Sequence, residues 1–254
     1  MIDLPQTPSF SLTGRTALVT GASSGIGQGA AVALAEAGAH VVCMARGAAR
    51  LQETVDALAG RGASVEALVL DMADLGALET ALEDRVFDVV VNAAGTTHPA
   101  LAENTAPADF DRVIDLNLRA AYFLSTWVAN GLRKADRPGS IIHVSSQMGH
   151  VGGRERTLYC ASKWGLEGMI KAMALEWAEH KIRVNAIAPT FIRTPLTEPT
   201  FARPELVEWI ENKIKLGRVG EVSDIMGAVL YLAGDASALV TGTSMLVDGG
   251  WTAD

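Results

Sequence analysis

Thr20-Gly21-Ala22-Ser23-Ser24-Gly25-Ile26-Gly27 is the stretch that decides the fold. It follows an apolar run and opens an alanine-rich segment of helical character, residues 28–37. A strand, a glycine turn and a helix in this order predict a dinucleotide site, although a glycine loop can also merely turn the chain. Gly21 would make the tight turn, Gly25 would let a pyrophosphate approach the backbone, and Gly27 would let the helix pack closely on the strand. Ser23, Ser24 and Ile26 would then lie beside the phosphates at the helix N-terminus.

Composition limits the classes of protein to consider. With 254 residues, 49% of them hydrophobic, residues 1–254 fit one large α/β domain. The net charge of −8, without a basic block, argues against nucleic acid or an anionic membrane as partner. No apolar run approaches the roughly 20 residues that span a bilayer, and the N-terminus does not resemble a signal peptide, so we expect a cytoplasmic protein. Cys43 and Cys160 lack metal-ligand spacing, which predicts neither a metal site nor a disulfide framework.

Apolar, β-branched runs alternate with helical segments along the chain. The runs are near-continuous, as in parallel strands covered on both faces. This alternation predicts a single-domain, doubly wound (Rossmann-type), seven-stranded parallel sheet with right-handed crossovers. Strands are predicted at residues 16–20, 40–44, 65–70, 87–92, 140–145, 183–188 and 244–247. Helices are predicted at residues 27–37, 48–59, 75–85, 109–134, 158–180, 204–215 and 222–233.

Residues 190–217 depart from this rhythm. The segment follows the sixth strand and contains Pro195, Pro199 and Pro204. Ligands of doubly wound sheets bind beyond the carboxyl ends of the strands, so an irregular insertion at this point predicts a substrate-binding loop. An ordinary surface loop is the alternative.

A tyrosine and a lysine four residues apart carry the candidate chemistry. Tyr159 and Lys163 lie at the start of a predicted helix, where positions i and i+4 share one face. A phenol normally has a pKa of about 10, and a neighbouring ammonium favours the phenolate. We therefore expect Lys163, helped by a bound nicotinamide cation, to lower the pKa of Tyr159. Alone the pair is weak, because aromatic and basic residues at this spacing are common on helices.

Further motifs give the pair its weight. Ser146 precedes Tyr159 just after the fifth strand, Asn117 lies within a long predicted helix, and Asn92-Ala93-Ala94-Gly95 follows the fourth strand. Together with the first glycine turn, these motifs resemble the short-chain dehydrogenase/reductase family over residues 14–250. The resemblance implies an NAD(P)-dependent oxidoreductase that transfers a hydride between a nicotinamide cofactor and a carbonyl or secondary alcohol.

The resemblance also implies a role for each motif residue. Tyr159 would be the general acid/base, Lys163 would hold the nicotinamide ribose and lower the pKa of Tyr159, and Ser146 would hydrogen-bond the substrate oxygen. Asn117 would hold a water that links Lys163 to solvent. The other residues implied to line the cofactor are Asp71 at the adenine, its neighbour Met72, and Asn92, Ala93 and Gly95 along the central sheet.

One position departs from the family pattern. After the sixth strand many members have Pro-Gly, where this chain has Pro189-Thr190. Glycine lets the backbone come close to the nicotinamide, whereas threonine is stiffer, so Thr190 would reshape the substrate floor or use another backbone angle. Pro189, Ile192 and Thr194 still match positions that hold the cofactor, the last two at its carboxamide and phosphates.

The end of the second strand bears on the choice of cofactor. An acidic residue there would accept hydrogen bonds from the adenosine ribose and repel a 2′-phosphate. This chain instead has Ala45 and Arg46, with Arg50 one turn further on. A guanidinium offers a planar fork to phosphate, so the sequence favours NADP(H). The alternative is NAD(H), with Arg46 stacked on the adenine.

Polar residues around the expected carbonyl site indicate the kind of substrate. Gln147 and His150 are the candidate substrate residues beside Ser146 and Tyr159, and Arg156 also lies in this polar segment. Polar groups in a pocket favour a small hydroxylated or carboxylated substrate, namely a sugar, polyol or keto acid. The chain also has a family likeness to gluconate 5-dehydrogenases.

Two other functions stay open. A 3-oxoacyl-carrier-protein reductase shares the same likeness, but its acidic carrier would favour a larger basic patch than Arg133, Lys134 and Arg137 provide. A non-catalytic NADP-binding regulator would be expected to have a broken Ser/Tyr/Lys set, and the set here is intact.

The two longest predicted helices bear on assembly. Residues 109–134 and 158–180 are apolar around more of their circumference than one core-facing stripe requires. The family resemblance implies that both helices pair with symmetry mates across a two-fold axis, which predicts a homotetramer or a dimer. The last strand, residues 244–247, would form the second contact of the tetramer. Two deeply buried helices in a monomer are the alternative.

Overall fold

The structure, a computed structural model, describes residues 2–254. Seven parallel strands form one sheet in the order β3-β2-β1-β4-β5-β6-β7, which confirms the predicted doubly wound sheet. The strands are β1 Thr16–Thr20, β2 His40–Ala45, β3 Val65–Val69, β4 Val89–Asn92, β5 Gly139–Val144, β6 Ile182–Pro189 and β7 Ser244–Val247.

Helices cover both faces of the sheet. Along the chain they are α1 Gly25–Glu36, α2 Ala48–Ala59, α3 Leu75–Leu82, α4 Pro107–Ile114, α5 Ala120–Lys134, α6 Thr157–Trp177, α7 Glu198–Phe201, α8 Pro204–Lys213 and α9 Val222–Ala233. One core cluster packs α3, α5 and α6 against the sheet, and a second packs α1, α2 and α9 against the other face. Each central strand is therefore buried on both sides, which is why its sequence is a continuous apolar run.

Two helices differ from their predicted bounds or type. The long helix predicted at 109–134 is α4 and α5 joined by a π-helical turn, Asp115–Arg119. Helix α3 stops at Leu82, three residues before its predicted end, because Glu83 is extended and Asp84 takes a left-handed φ of 60°.

Residues 190–217 are more regular than predicted, because they hold the short helix α7 as well as α8. A third apolar cluster fixes this segment to the C-terminus. The Trp251 ring lies 5.7 Å from Phe191 and 5.4 Å from Trp209, measured between ring centroids. Aromatic pairs at these separations stabilise a fold beyond simple burial, so these contacts hold the segment against the C-terminal residues.

Candidate active site

A cavity of about 720 Å³ opens where β1 and β4 lie side by side. The chain leaves β1 toward β2 and β3 on one side and returns to β4 on the other, which is the switch point at which doubly wound sheets bind ligands. Many of the residues predicted to bind a cofactor line this cavity: Gly21, Ser23, Ser24, Gly25, Ile26, Gly27, Arg46, Asp71, Met72, Ala93, Gly95, Tyr159, Lys163, Pro189, Ile192 and Thr194.

The glycine turn forms one end of the cavity for steric reasons. Gly21 and Gly25 have φ of 67° and 55°, a region that favours glycine. A Cβ on Gly21 would lie 3.0 Å from the Ala93 carbonyl oxygen, and one on Gly27 would lie 2.6 Å from the Gly21 carbonyl carbon. Ser24 makes no side-chain capping bond at the start of α1. The turn is thus a cradle that a side chain would fill, at a helix N-terminus that attracts anions.

Basic residues mark the far end of the cavity. Arg46 is 72% exposed, and its Nη1 lies 3.5 Å from Asp71 Oδ2. An ion pair this exposed contributes about 0–1 kcal/mol, so the guanidinium can leave Asp71 and bind an anionic ligand at little cost. Ala45 and Arg50 line the same wall.

Lys163 lies one helical turn after Tyr159, as predicted, with its ammonium buried. Its Nζ donates a 2.8 Å hydrogen bond to the Val144 carbonyl oxygen and lies 5.6 Å from the centroid of the Tyr159 ring. Burial lowers the pKa of Lys163 to about 8, and the Glu167 carboxylate acts in the opposite direction. Burial therefore makes Lys163 easier to deprotonate than an exposed lysine.

The pKa of Tyr159 differs from the sequence prediction. Burial raises it, while hydrogen bonding to Ser146 and the positive charge of Arg156 act to lower it. The groups of the chain alone therefore do not lower the pKa of Tyr159, whereas the prediction also invoked a bound nicotinamide cation. Tyr159 is thus held in its protonated form, which is the form that a proton donor needs.

Asn117 is buried in the π-helical turn and does not line the cavity. Its Oδ1 accepts from the Thr96 N–H at 2.8 Å, and its Nδ2 donates to the Thr96 carbonyl and to Ser162 Oγ. A Cβ on Gly95 would lie 3.4 Å from Asn117 Oδ1 and 3.9 Å from Lys163 Nζ. Asn117 and Lys163 are therefore neighbours on either side of Gly95.

Asn92 braces the sheet and does not line the cavity. Its Oδ1 accepts from Thr20 Oγ1 at 2.6 Å, and its Nδ2 lies 3.2 Å from His143 Nδ1. The side chain therefore links β4 to β1 and β5. The structure does not bring Asn92 into the cavity wall, where its contact with the cofactor is predicted.

A smaller cavity of about 280 Å³ adjoins the first. Five residues line both cavities: Ser146, Tyr159, Thr190, Leu196 and Thr197. The remaining wall is Thr97, Pro99, Gln147, Met148, Arg156, Phe191, Pro199 and Thr200. Gln147 therefore lies where predicted, and residues 190–200 of the predicted substrate loop supply much of the wall.

His150 does not reach either cavity. Its Nε2 lies 3.0 Å from Ser244 Oγ on β7 and 3.4 Å from Glu167 Oε1. The 3₁₀ turn Gln147–Gly149, capped by the Ser146 hydroxyl, directs Gln147 inward and carries His150 to the other side. The structure therefore does not bring His150 to the substrate cavity for which it is predicted.

Unpartnered polar atoms cluster at these cavities. Among residues 2–254, the buried side-chain atoms without a hydrogen-bond partner are Ser145 Oγ, Arg156 Nη1 and Thr190 Oγ1. Each belongs to a residue in the wall of one or both cavities. Buried polar groups in folded proteins are normally paired, so this cluster indicates a polar ligand. The sequence placed Arg156 in a polar segment but gave no sign of its isolation.

No helix in residues 2–254 has the length and apolarity to cross a membrane. The same residues contain no group of three or more His, Cys, Asp or Glu side chains arranged to hold a metal ion.

Comparisons with known proteins agree with this geometry. The family described as enoyl-(acyl carrier protein) reductase matches residues 21–252. D-erythrulose reductase of Gallus gallus is 38% identical over 96% of this chain and 98% of its own length. The 2-dehydro-3-deoxy-D-gluconate 5-dehydrogenase of Escherichia coli (strain K12) is 35% identical over 96% and 98%. The solved gluconate 5-dehydrogenase of Burkholderia cenocepacia J2315, in complex with NADP and tartrate, has a TM-score of 0.93 and 29% identity over 96% of this chain and 98% of that one.

Proposed function

Since the chain belongs to the short-chain dehydrogenase/reductase family and is an oxidoreductase, we propose that it uses NADP(H) to interconvert a carbonyl and a secondary alcohol on a small sugar, polyol or keto acid. The observation that carries this proposal is the position of Ser146 and Tyr159 in the walls of both cavities. The larger cavity fits a dinucleotide, and the smaller one, with its polar wall, fits a small hydroxylated molecule. Relatives whose names specify sugar substrates support the same class.

We assign each part of the cofactor to a stretch of the cavity wall. The cradle of Gly21, Gly25 and Gly27 would take the pyrophosphate, with Thr194 beside it. Asp71 and Met72 would lie along the adenosine, and Arg46 would receive the 2′-phosphate of NADP(H). Pro189 and Ile192 would flank the nicotinamide. When bound, the nicotinamide gives or takes the hydride.

The proton is handled by the chain itself. Tyr159 would donate its phenolic proton to the carbonyl oxygen during reduction, and Ser146 would hydrogen-bond the same oxygen as negative charge develops on it. Lys163, with its pKa of about 8, would hold the nicotinamide ribose and help return a proton to Tyr159. The amide oxygen and nitrogen of Asn117 are both hydrogen-bonded to Thr96. The water that links Lys163 to solvent would therefore lie between Lys163 and the π-helical turn that contains Asn117.

We also propose that the protein is a cytoplasmic homotetramer, with a dimer as the simpler possibility. Most apolar residues of the two long helices, such as Leu124 and Leu166, face the core of one subunit and cannot form an interface. Tyr122 and Trp164 remain 49% and 54% exposed on α5 and α6. Leu246 is 44% exposed on β7, the edge strand of the sheet, where a second contact would form.

A substrate panel tests the proposed activity. Purified protein would be offered ketoses, polyols, keto acids and a 3-oxoacyl thioester with NADPH, NADH and their oxidised forms, followed by absorbance of the reduced nicotinamide. We expect turnover with NADPH and one of the small polar carbonyl compounds. Preference for the 3-oxoacyl thioester would favour the carrier-protein reductase instead. No turnover with any compound would contradict the proposal.

A further inference from the structure

The smaller cavity has an unusual charge balance. Arg156 is the one residue of its wall that carries a formal charge. In the described part of the chain, no side chain or backbone carbonyl accepts a hydrogen bond from the guanidinium of Arg156, and no carboxylate lies within 4.0 Å of it. A cation without a counter-ion in a half-buried wall is costly unless a ligand brings the opposite charge.

Arg156 lies at the start of the helix that carries Tyr159, and the contacts of its aliphatic stem differ from those of its guanidinium. Arg156 immediately precedes α6, three residues before Tyr159, so its position is set by the helix that positions the proton donor. Its Cγ would lie 3.1 Å from a Cβ on Gly153, beside Met148, which shows that the aliphatic stem is packed. The stem is held in place while the head is left unpaired. Its charge reaches the reacting group, because Arg156 lowers the pKa of Tyr159.

Thr190 adds a second unpaired donor at the junction of the two cavities. Its backbone N–H donates to the Val247 carbonyl, but its buried hydroxyl has no partner. A glycine at this position would offer no hydroxyl at all. The departure from the Pro-Gly pattern therefore places a hydrogen-bonding group in the wall of the smaller cavity.

We infer that the substrate carries a carboxylate, which Arg156 binds while the carbonyl lies at Ser146 and Tyr159, with the Thr190 hydroxyl as an additional donor. A guanidinium matches a carboxylate with two parallel hydrogen bonds, and it would satisfy the unpaired Nη1. This inference rests on the proposed function. Among its sugar-type substrates, the contact with Arg156 would favour keto acids and aldonates over neutral ketoses and polyols.

Paired substrates test the inference. The unchanged protein should turn over a polyhydroxy keto acid with a higher kcat/KM than the neutral ketose of the same length. Arg156→Gln should lower kcat/KM for the acid on the order of 10- to 100-fold more than kcat/KM for the ketose, and this difference corresponds to one lost charge-assisted hydrogen bond or bond pair. Thr190→Val should lower kcat/KM for the acid by roughly 2- to 10-fold.

Arg154→Gln is the matched control, because Arg154 is exposed and lines neither of the two cavities. We expect no change with either substrate. Arg156→Lys should restore part of the preference for the acid, since it keeps the charge but not the fork. Equal losses for acid and ketose in Arg156→Gln, with a moved pH profile, would mean that Arg156 acts only on Tyr159 and would overturn the inference.

A measurement on the unchanged protein covers the case in which Arg156 variants do not fold. With the best substrate of the panel, an aldonate should inhibit competitively at a concentration at least about 10-fold lower than the polyol of equal length. Equal inhibition by the two would overturn the inference while leaving the proposed oxidoreductase intact. Absence of turnover with every carbonyl compound would instead contradict the proposed function.

Discussion

Replacement of Arg46 by alanine is the sharpest test of cofactor choice, because this one side chain is proposed to determine the preference for NADPH over NADH. If Arg46 binds the 2′-phosphate, Arg46→Ala should raise the KM for NADPH and leave the KM for NADH nearly unchanged. Ala45→Asp should shift the preference toward NADH, since the new carboxylate would accept from the ribose hydroxyls and repel the phosphate.

The size of the effect follows from exposure. Two unit charges about 4 Å apart interact by about 1 kcal/mol in water and about 4 kcal/mol at a protein surface with an effective dielectric constant of about 20. Arg46 is 72% exposed and shares its charge with Asp71, so the value should lie near the lower end, at about 1–2 kcal/mol. This corresponds to a rise of roughly 5- to 30-fold in the KM for NADPH.

Steady-state kinetics with both cofactors, at low and high salt, would measure the effect. It should shrink as salt screens the exposed pair. Arg61→Ala is the control, since Arg61 is 68% exposed and lines a different cavity, near α2. Equal changes in KM for NADPH and NADH, or a wild-type preference for NADH, would refute the assignment of Arg46 to the phosphate.

Three further outcomes are expected. Gly27→Ala should weaken NADPH binding at least about 10-fold and lower Tm, because the new Cβ overlaps the Gly21 carbonyl, whereas Gly227→Ala, with open space around it, should be neutral or stabilising. Burial and the charge of Lys163 lower the pKa of His143 to about 3, so the free energy of unfolding of the wild type should fall as pH drops from 6.5 toward 3. The expected loss is about 2 kcal/mol at pH 5. Urea unfolding of His143→Gln should lack this pH dependence. Trp164→Glu should give a smaller assembly by light scattering; an unchanged mass would place the interface elsewhere.

The sequence predicted the fold well because buried parallel strands have continuous apolar runs. All seven strands lie within two residues of their predicted bounds. The largest error is at β4, which begins at Val89 rather than at residue 87. There the Asp88 carboxylate accepts a hydrogen bond from the Thr16 N–H, an interaction that a run of apolar residues does not reveal.

The candidate site was predicted less evenly. Residues in the glycine turn and in the Tyr159–Lys163 pair were found because their spacing fixes their position on a turn or helix face. Asn92 was assigned from the family resemblance and His150 from its closeness in sequence to Ser146 and Tyr159. Neither argument determines the direction of a side chain at the end of a strand or after a 3₁₀ turn. The isolation of Arg156 depends on which residues from distant segments surround it, so no local pattern could predict it.

In the proposed mechanism Tyr159 transfers the proton at the junction of the two cavities. Tyr159→Phe keeps nearly the same volume and removes only the phenolic oxygen. With the best carbonyl substrate and NADPH, we expect kcat to fall on the order of 10² to 10⁴-fold while NADPH affinity, measured by fluorescence titration, changes little. Near-normal turnover by this variant would contradict the account.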